Sequence, residues 1–440
     1  MKIIFFMRTS DFFSEKHQKT NLALSKPGGR FLGLLLLLTL IFLSSCNMRA
    51  SNTIILWTDR PEFALYAMFF NASQNSYKVE VRYFEFPAQR LTESNEQPDI
   101  VVASWLNSSS IRPLFRDLND LFRRDGLEHS SFYSRLLSLG NIDNRQYFLP
   151  VSFNIPAIIF ARDFTQSAPN PFTIDLEEMK QRGKAHNVKN HGSFSQMGFA
   201  PSYDDEFLFV VTSLFGSSFR EASPIAWENQ LLQQGINWTQ NWISEANISI
   251  QVEEDFTYKF FYTPPDKLVN TGRILFTYME SARFFILPEE RRANLDFRWL
   301  AANEMIPLSE GNVFFGIHRR TRALPAARAF AHWFFSAETQ RLLLEQAKNF
   351  RLNETSFGIA GGFSAMRTVT EQVFPQFYPD LLGRMPPESF LSPPNALPVN
   401  WLAIKERVIL PYLRERIRHS PNGEARPLER RVSDWHRINR

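Results

Sequence analysis

The stretch TIILWTDRPEFALYAMFFNASQNSYKVEVRYFE (Thr53–Glu85) changes hydrophobic period twice. Thr53–Trp57 is a short apolar, β-branched run and reads as a buried strand. Beyond it, Phe63, Tyr66, Ala67 and Phe70 recur at i, i+3, i+4 and i+7, the spacing of one helical face. Asp59 with Glu62 three residues on has the form of a capping box, and Pro61 fits a first helical turn. YKVEVRYFE then alternates apolar and polar, as a half-buried strand does. Strand, helix and strand in that order predict a βαβ unit, and hence a parallel sheet.

Upstream lies a different kind of sequence. Phe31–Leu43 is an unbroken apolar run, too short to span a bilayer comfortably and of the length of a signal-peptide hydrophobic region. Basic residues precede it. Residues 1–46 hold six Lys or Arg against Asp11 and Glu15, which accounts for the whole net charge of +4. The remaining chain is neutral, so the basic balance gives no reason to expect nucleic acid as a partner. Arg414, Arg416, Arg418, Arg430 and Arg431 recur in the tail with acids mixed in, and read as a solvated helical face. Leu43-Ser44-Ser45-Cys46 resembles a bacterial lipobox, in which the Cys is lipidated and becomes the first residue of the mature chain. Cys46 is the only cysteine, so no internal disulfide is possible. The expected organisation is a signal peptide over 1–45, a lipidated Cys and tether over 46–52, and an extracytoplasmic domain anchored to a membrane. The leader before the apolar run is long, and Met7 is an alternative start to Met1.

Downstream, QPDIVVASW (Gln97–Trp105) is a further apolar strand. YFLPVSFNIPAIIFARD (Tyr147–Asp163) is two extended pieces broken by Pro150 and Pro156. GRILFTYMESARFF (Gly272–Phe285) is a strand running into a helix. PAARAFAHWFFSAETQRLLLEQA (Pro325–Ala347) is two helices meeting near Ser336, and a closing helix falls around Trp401–Arg418. With 440 residues, two lobes are expected. The fold class is α/β.

In this order the segments resemble the extracellular solute-binding proteins of the family that includes maltose-binding protein, the receptors of ABC importers. TIILWTDRPEF resembles that family's first strand and ligand loop, and QPDIVVASWLN its segment of Pro-Asp followed by an apolar strand. FLPVSFNIPAIIFARD resembles the crossing to the second lobe. EMIPL and GNVFFGIHRRTRALPAARAFAHWFFSAETQRLLLEQ resemble the proline-and-glycine segment and then the helical pair, and GGFSAMRTV the late loop. The resemblance implies a type II binding-protein fold: two lobes, each a mixed sheet flanked by helices, hinged at crossing segments. Lobe 1 would comprise 53–153 and 299–346, and lobe 2 would comprise 154–298 and 347–440. Two departures stand out. The segment after Met279 lacks the family's Gly-x-Trp, with Phe284 and Phe285 following instead. Phe363 and Ser364 stand where Gly-x-Pro is common.

The resemblance implies a crevice at the strand ends, where open α/β sheets bind ligands. Trp57, Thr58 and Asp59 end the first strand, and Trp105 and Asn107 follow the third. Asn154 marks the crossing, Glu280 a strand–helix junction, and Phe363 the late loop. These eight are the candidate ligand-binding residues. An aromatic face packs on the C–H face of a sugar, while carboxylates and amides bond its hydroxyls. Most of them also have a structural reading: Trp57 as core, Asp59 and Glu280 as helix caps, Asn154 as hinge. Trp238 and Trp242, four residues apart, read as core packing. No HExxH, Gly-x-Ser-x-Gly or P-loop occurs, and the histidines show no metal spacing. The expectation is a non-enzymatic, monomeric receptor without cofactor, capturing a small polar solute, a sugar or oligosaccharide, for the transmembrane subunits of an ABC permease. A surface lipoprotein of the same fold acting in adhesion is the alternative, and an extracytoplasmic glycoside hydrolase the third reading.

Overall fold

Thr53–Thr58 forms strand β1, Phe63–Ser73 helix α1 and Lys78–Tyr83 strand β2 in the computed structural model, which describes residues 51–123, 126–167, 170–191, 193–418 and 426–439. Cys46 and the leader lie outside the described residues. β1 and β2 pair in parallel from Thr53 opposite Lys78 to Thr58 opposite Tyr83. The βαβ unit therefore exists, but its helix begins differently from the capping-box expectation. Glu62 occupies the N-cap position in helical conformation and makes no side-chain cap. A turn from Arg60 leads straight into the helix, with Phe63 N–H donating to the Arg60 carbonyl. Both carboxylates are spent elsewhere: Asp59 on Arg60 and Ser104, Glu62 on the Ser356 hydroxyl.

The remaining strands of the two larger sheets are β3 (Ile100–Ser104), β4 (Leu149–Phe153), β5 (Pro156–Ala161), β6 (Thr173–Ile174), β7 (Thr277–Glu280), β8 (Leu295–Leu300), β9 (Val313–Ile317) and β10 (Phe363–Ser364). The first sheet has the order β10-β4-β9-β3-β1-β2 and the second β7-β5-β8-β6. Every residue of β3, β8 and β9 is buried, as expected of interior strands covered on both faces. β1 and β3 are parallel, and β9 runs antiparallel to both β3 and β4. The C-terminal ends of β1, β3 and β4 therefore share one edge. The facing edge of the second sheet carries Pro156, at the start of β5, paired with Glu280 at the end of β7.

Three segments cross between the sheets. Asn154-Ile155 joins β4 to β5, residues 301–312 join β8 to β9, and the chain crosses back after β10. The crossings are stitched together. Ser309 N–H donates to the Asn154 carbonyl at 3.1 Å, and Leu308 N–H to Ser392 at 2.9 Å. The Asn154 amide donates to the Gly361 carbonyl at 3.0 Å and accepts from the Ser281 hydroxyl at 2.8 Å.

The lobe boundaries move relative to expectation. β8 stays with the second sheet through Leu300, because Trp299 pairs with Ala157 and Leu300 with Ile174. Phe363–Ser364 joins the first sheet, because Phe363 pairs with Phe153. Where the sheets approach, Phe285, Phe297, Trp299, Phe357, Phe363, Phe374 and Tyr378 form one aromatic cluster. It absorbs part of the phenylalanine surplus, and Phe284 and Phe285 are core residues within or beside it. The closing helix runs as Trp401–Ile404, a π-helical turn Lys405–Ile409, and α4 (Leu410–Arg418). It packs on α2 (Asp205–Leu214) and α3 (Asn229–Ala246) through Leu208, Phe209, Leu232, Ile236, Trp401, Ile404 and Leu413. Trp242 is core, beside Phe199 and Trp238.

Candidate functional site

The facing edges of the two sheets bound a cavity of about 540 Å³. Short-range periodicity explains which side chains line it. On β7, Tyr278 and Glu280 are two apart and point the same way. On α2, Glu206, Phe209, Val210 and Ser213 form one helical stripe facing the cavity. Trp401 and Lys405 are four apart on the closing helix, and Glu310 comes from the second crossing.

Trp105 enters from the first sheet. β3 ends at Ser104, and the chain reverses at once, with Ser108 N–H donating to the Trp105 carbonyl. The turn holds Trp105 at a φ of 59°. A bulky side chain in the left-handed region costs about 1–3 kcal/mol, a strain that clusters at ligand sites. Just beyond, the Ser108 hydroxyl and Ser109 N–H donate to Glu221 at 2.7 and 2.6 Å, clasping the loop after β3 to the segment that follows α2.

Several charged groups converge on the cavity wall. Lys405, with its side chain 6% exposed, places its ammonium 2.6 Å from Glu206 and 2.9 Å from Glu310. It also sits 4.1 Å from the centre of the Phe209 ring. Burial alone would favour the neutral amine, but the two carboxylates more than offset it and raise the Lys405 pKa. Burial raises the Glu280 pKa, against a hydrogen bond from Ser309 that lowers it, and the Glu310 charge adds to the rise. Asp204 is raised by burial while it caps α2, accepting from Glu206 N–H at 2.9 Å and Phe207 N–H at 3.3 Å. Arg283 lines the rim and is exposed. Among the described residues, no group of three or more His, Cys, Asp or Glu is placed to hold a metal ion.

Of the eight residues expected from sequence, Trp105 and Glu280 line the cavity. Asn154 is built into the stitched crossing. Asp59 stands behind the wall. Its carboxylate is 3.2 Å from Arg60 Nε, Arg60 donates to the Ser104 hydroxyl at 2.8 Å, and Ser104 donates to the Gly311 carbonyl at 3.0 Å. Burial raises the Asp59 pKa against the pull of Arg60. Thr58 is fully buried and accepts from Arg60 N–H at 3.0 Å. Asn107 is 8% exposed and is not part of the lining.

Two expectations fail on geometry. Trp57 is fully buried on a face of the sheet, not at its edge, with its ring 4.8 Å from Phe84 and among Ala88, Leu91 and Val101. Phe363 is fully buried in the inter-sheet aromatic cluster, 4.9 Å from Phe357. The sequence reading missed Glu206, Phe209, Tyr278, Glu310, Trp401 and Lys405. Tyr278 was within reach, since strand alternation places it with Glu280. The others come from distant segments whose convergence no local pattern announces.

No family model matches the chain, and no curated protein does. Solved structures match over nearly its whole length. An ABC substrate-binding protein of Listeria monocytogenes, in complex with cycloalternan, aligns with a TM-score of 0.62 at 13% identity, covering 88% of this chain and 98% of that one. The cyclic α-maltosyl-1,6-maltose binding protein of Arthrobacter globiformis gives 0.59 at 15%, over 87% and 96%. The sugar-binding protein MalE of Xanthomonas citri gives 0.61 at 11%, over 88% and 96%. The architecture is the two-lobe type II binding-protein fold.

Proposed function

We propose that this protein is a lipid-anchored receptor that captures a saccharide between its two lobes and delivers it to the membrane-spanning subunits of an ABC importer. One observation carries the reading: a 540 Å³ cavity at the facing strand edges of two sheets, walled by aromatic rings and convergent carboxylates. Rings supply stacking surface for the apolar face of a sugar, and carboxylates accept two hydroxyls each. The stitched crossings supply a hinge about which such lobes close. The three structural neighbours described above, which bind saccharides, agree with this chemistry. A cavity that brings aromatic rings and carboxylates together from both sheets also fits a receptor better than an adhesin that keeps only the shell of the fold.

Ligand capture is tested by thermal unfolding against a saccharide panel that includes maltotriose. A true ligand at a hundred times its dissociation constant stabilises by about 2.7 kcal/mol, with the midpoint climbing as the logarithm of concentration. A flat response to every saccharide would refute the assignment. Anchoring rests on Leu43–Cys46 alone. Cys46→Ser is expected to move the protein from the membrane fraction to the soluble one, and unchanged membrane retention would remove the lipid from the proposal.

A further inference from the structure

We infer that the captured solute carries a protonated amine: the cavity is built for an amino sugar and discriminates against neutral saccharides. This rests on the saccharide reading above. Three carboxylates, those of Glu206, Glu280 and Glu310, line the cavity, with Asp204 beside them at the start of α2. The cations facing them are the buried Lys405 and the exposed Arg283 at the rim.

Lys405 shows what this wall holds. Its ammonium lies between two carboxylates and over an aromatic ring, the arrangement that stabilises a desolvated cation. It leaves negative charge over. Glu310 Oε1 is buried and has no hydrogen-bond partner among the described residues. Glu280 has the Ser309 hydrogen bond and no cation in direct contact among the described ion pairs. The field is felt at Tyr278, whose phenol is held well above its usual pKa first by burial and then by the charges of Glu280, Asp204, Glu206 and Glu310.

A sugar hydroxyl can donate to a carboxylate, but it does not neutralise one. An ammonium does both, and a hydrogen bond between two charged groups is the stronger one. An aliphatic polyamine would supply the charge and little else. The aromatic side chains of Trp105, Phe219 and Tyr278 line the cavity and offer stacking surface to a sugar ring, which a polyamine leaves unused. Ammonium and ring together specify an amino sugar.

The test is titration calorimetry of the purified protein with a glucosamine trisaccharide, its fully N-acetylated counterpart, maltotriose and spermidine. Near neutral pH the glucosamine trisaccharide is expected to bind at least about tenfold tighter than its acetylated counterpart, the scale of a desolvated cation contact. The preference is expected to shrink on raising the pH to about 9, where such an amine loses its proton, and to shrink in Glu310→Gln. Equal or tighter binding of the neutral saccharides overturns this inference and leaves the saccharide receptor standing. Binding of spermidine with no saccharide bound, or of none of the four, overturns both.

Discussion

Lys405→Met is expected to destabilise the protein by about 3 kcal/mol, at the lower end for removal of one member of a buried ion pair. The lower end applies because the two partners differ in burial. The Glu206 side chain is 46% exposed and can return to water, whereas that of Glu310 is 16% exposed and cannot. The loss should depend on pH. Without the ammonium, Glu280, already raised by burial and by the Glu310 charge, loses the Lys405 charge that lowers it, and its folded-state pKa rises further. A carboxylate raised on folding contributes stability below its unfolded pKa and loses it as the pH rises through the folded value. The deficit of the variant, read from urea unfolding, should therefore be small in acid and grow toward neutrality. Adding Glu310→Gln to Lys405→Met should recover much of it. A double variant no more stable than the single one would show that the network does not hold the closing helix in place.

Trp57→Ala and Trp105→Ala are expected to fail in opposite ways. Trp57 packs against Phe84, Ala88, Leu91 and Val101 with no exposed surface. Its truncation leaves a large cavity and should cost about 3–5 kcal/mol of stability. Trp105 projects from a strained turn into the ligand space. Its truncation should weaken solute binding by roughly 2 kcal/mol, about thirtyfold. Unfolding free energies and calorimetric affinities of the two variants separate these outcomes. If Trp57→Ala kept its stability and lost affinity, the assignment of the two tryptophans would be reversed.

These two tryptophans show how far the sequence reaches. Each ends or follows an apolar strand, so each was a fair candidate for the cleft by position. What differs is direction. Trp57 is still inside β1, flanked by Arg82 on β2 and Val101 on β3, and a side chain within a central strand points to a face. Trp105 lies one residue past β3, where the chain has left the sheet. Strand ends are uncertain by a residue or two from sequence, and one residue decides between face and edge. Phe363 illustrates the same limit. By sequence its segment goes with the second lobe, whereas the pairing with Phe153 puts it in the first sheet with the ring turned inward.

The sequence by itself determined the elements and their order: the βαβ start, the strands at Ile100 and Thr277, the helical pair broken at Ser336, and the concentration of all the excess charge in residues 1–46. These follow from periodicity, caps and charge, which act over a few residues. It also gave the fold class, because alternating strands and helices leave few ways to bury their apolar faces. Only the tertiary structure decided the site. Trp105, Glu206, Glu280, Glu310 and Lys405 span three hundred residues of chain and meet because three crossings return the chain to one crevice. Lys405 in sequence is one lysine on an amphipathic helix. Its role comes from carboxylates some two hundred and one hundred residues away, and electrostatics in an enclosed space depends on distance in three dimensions, not along the chain.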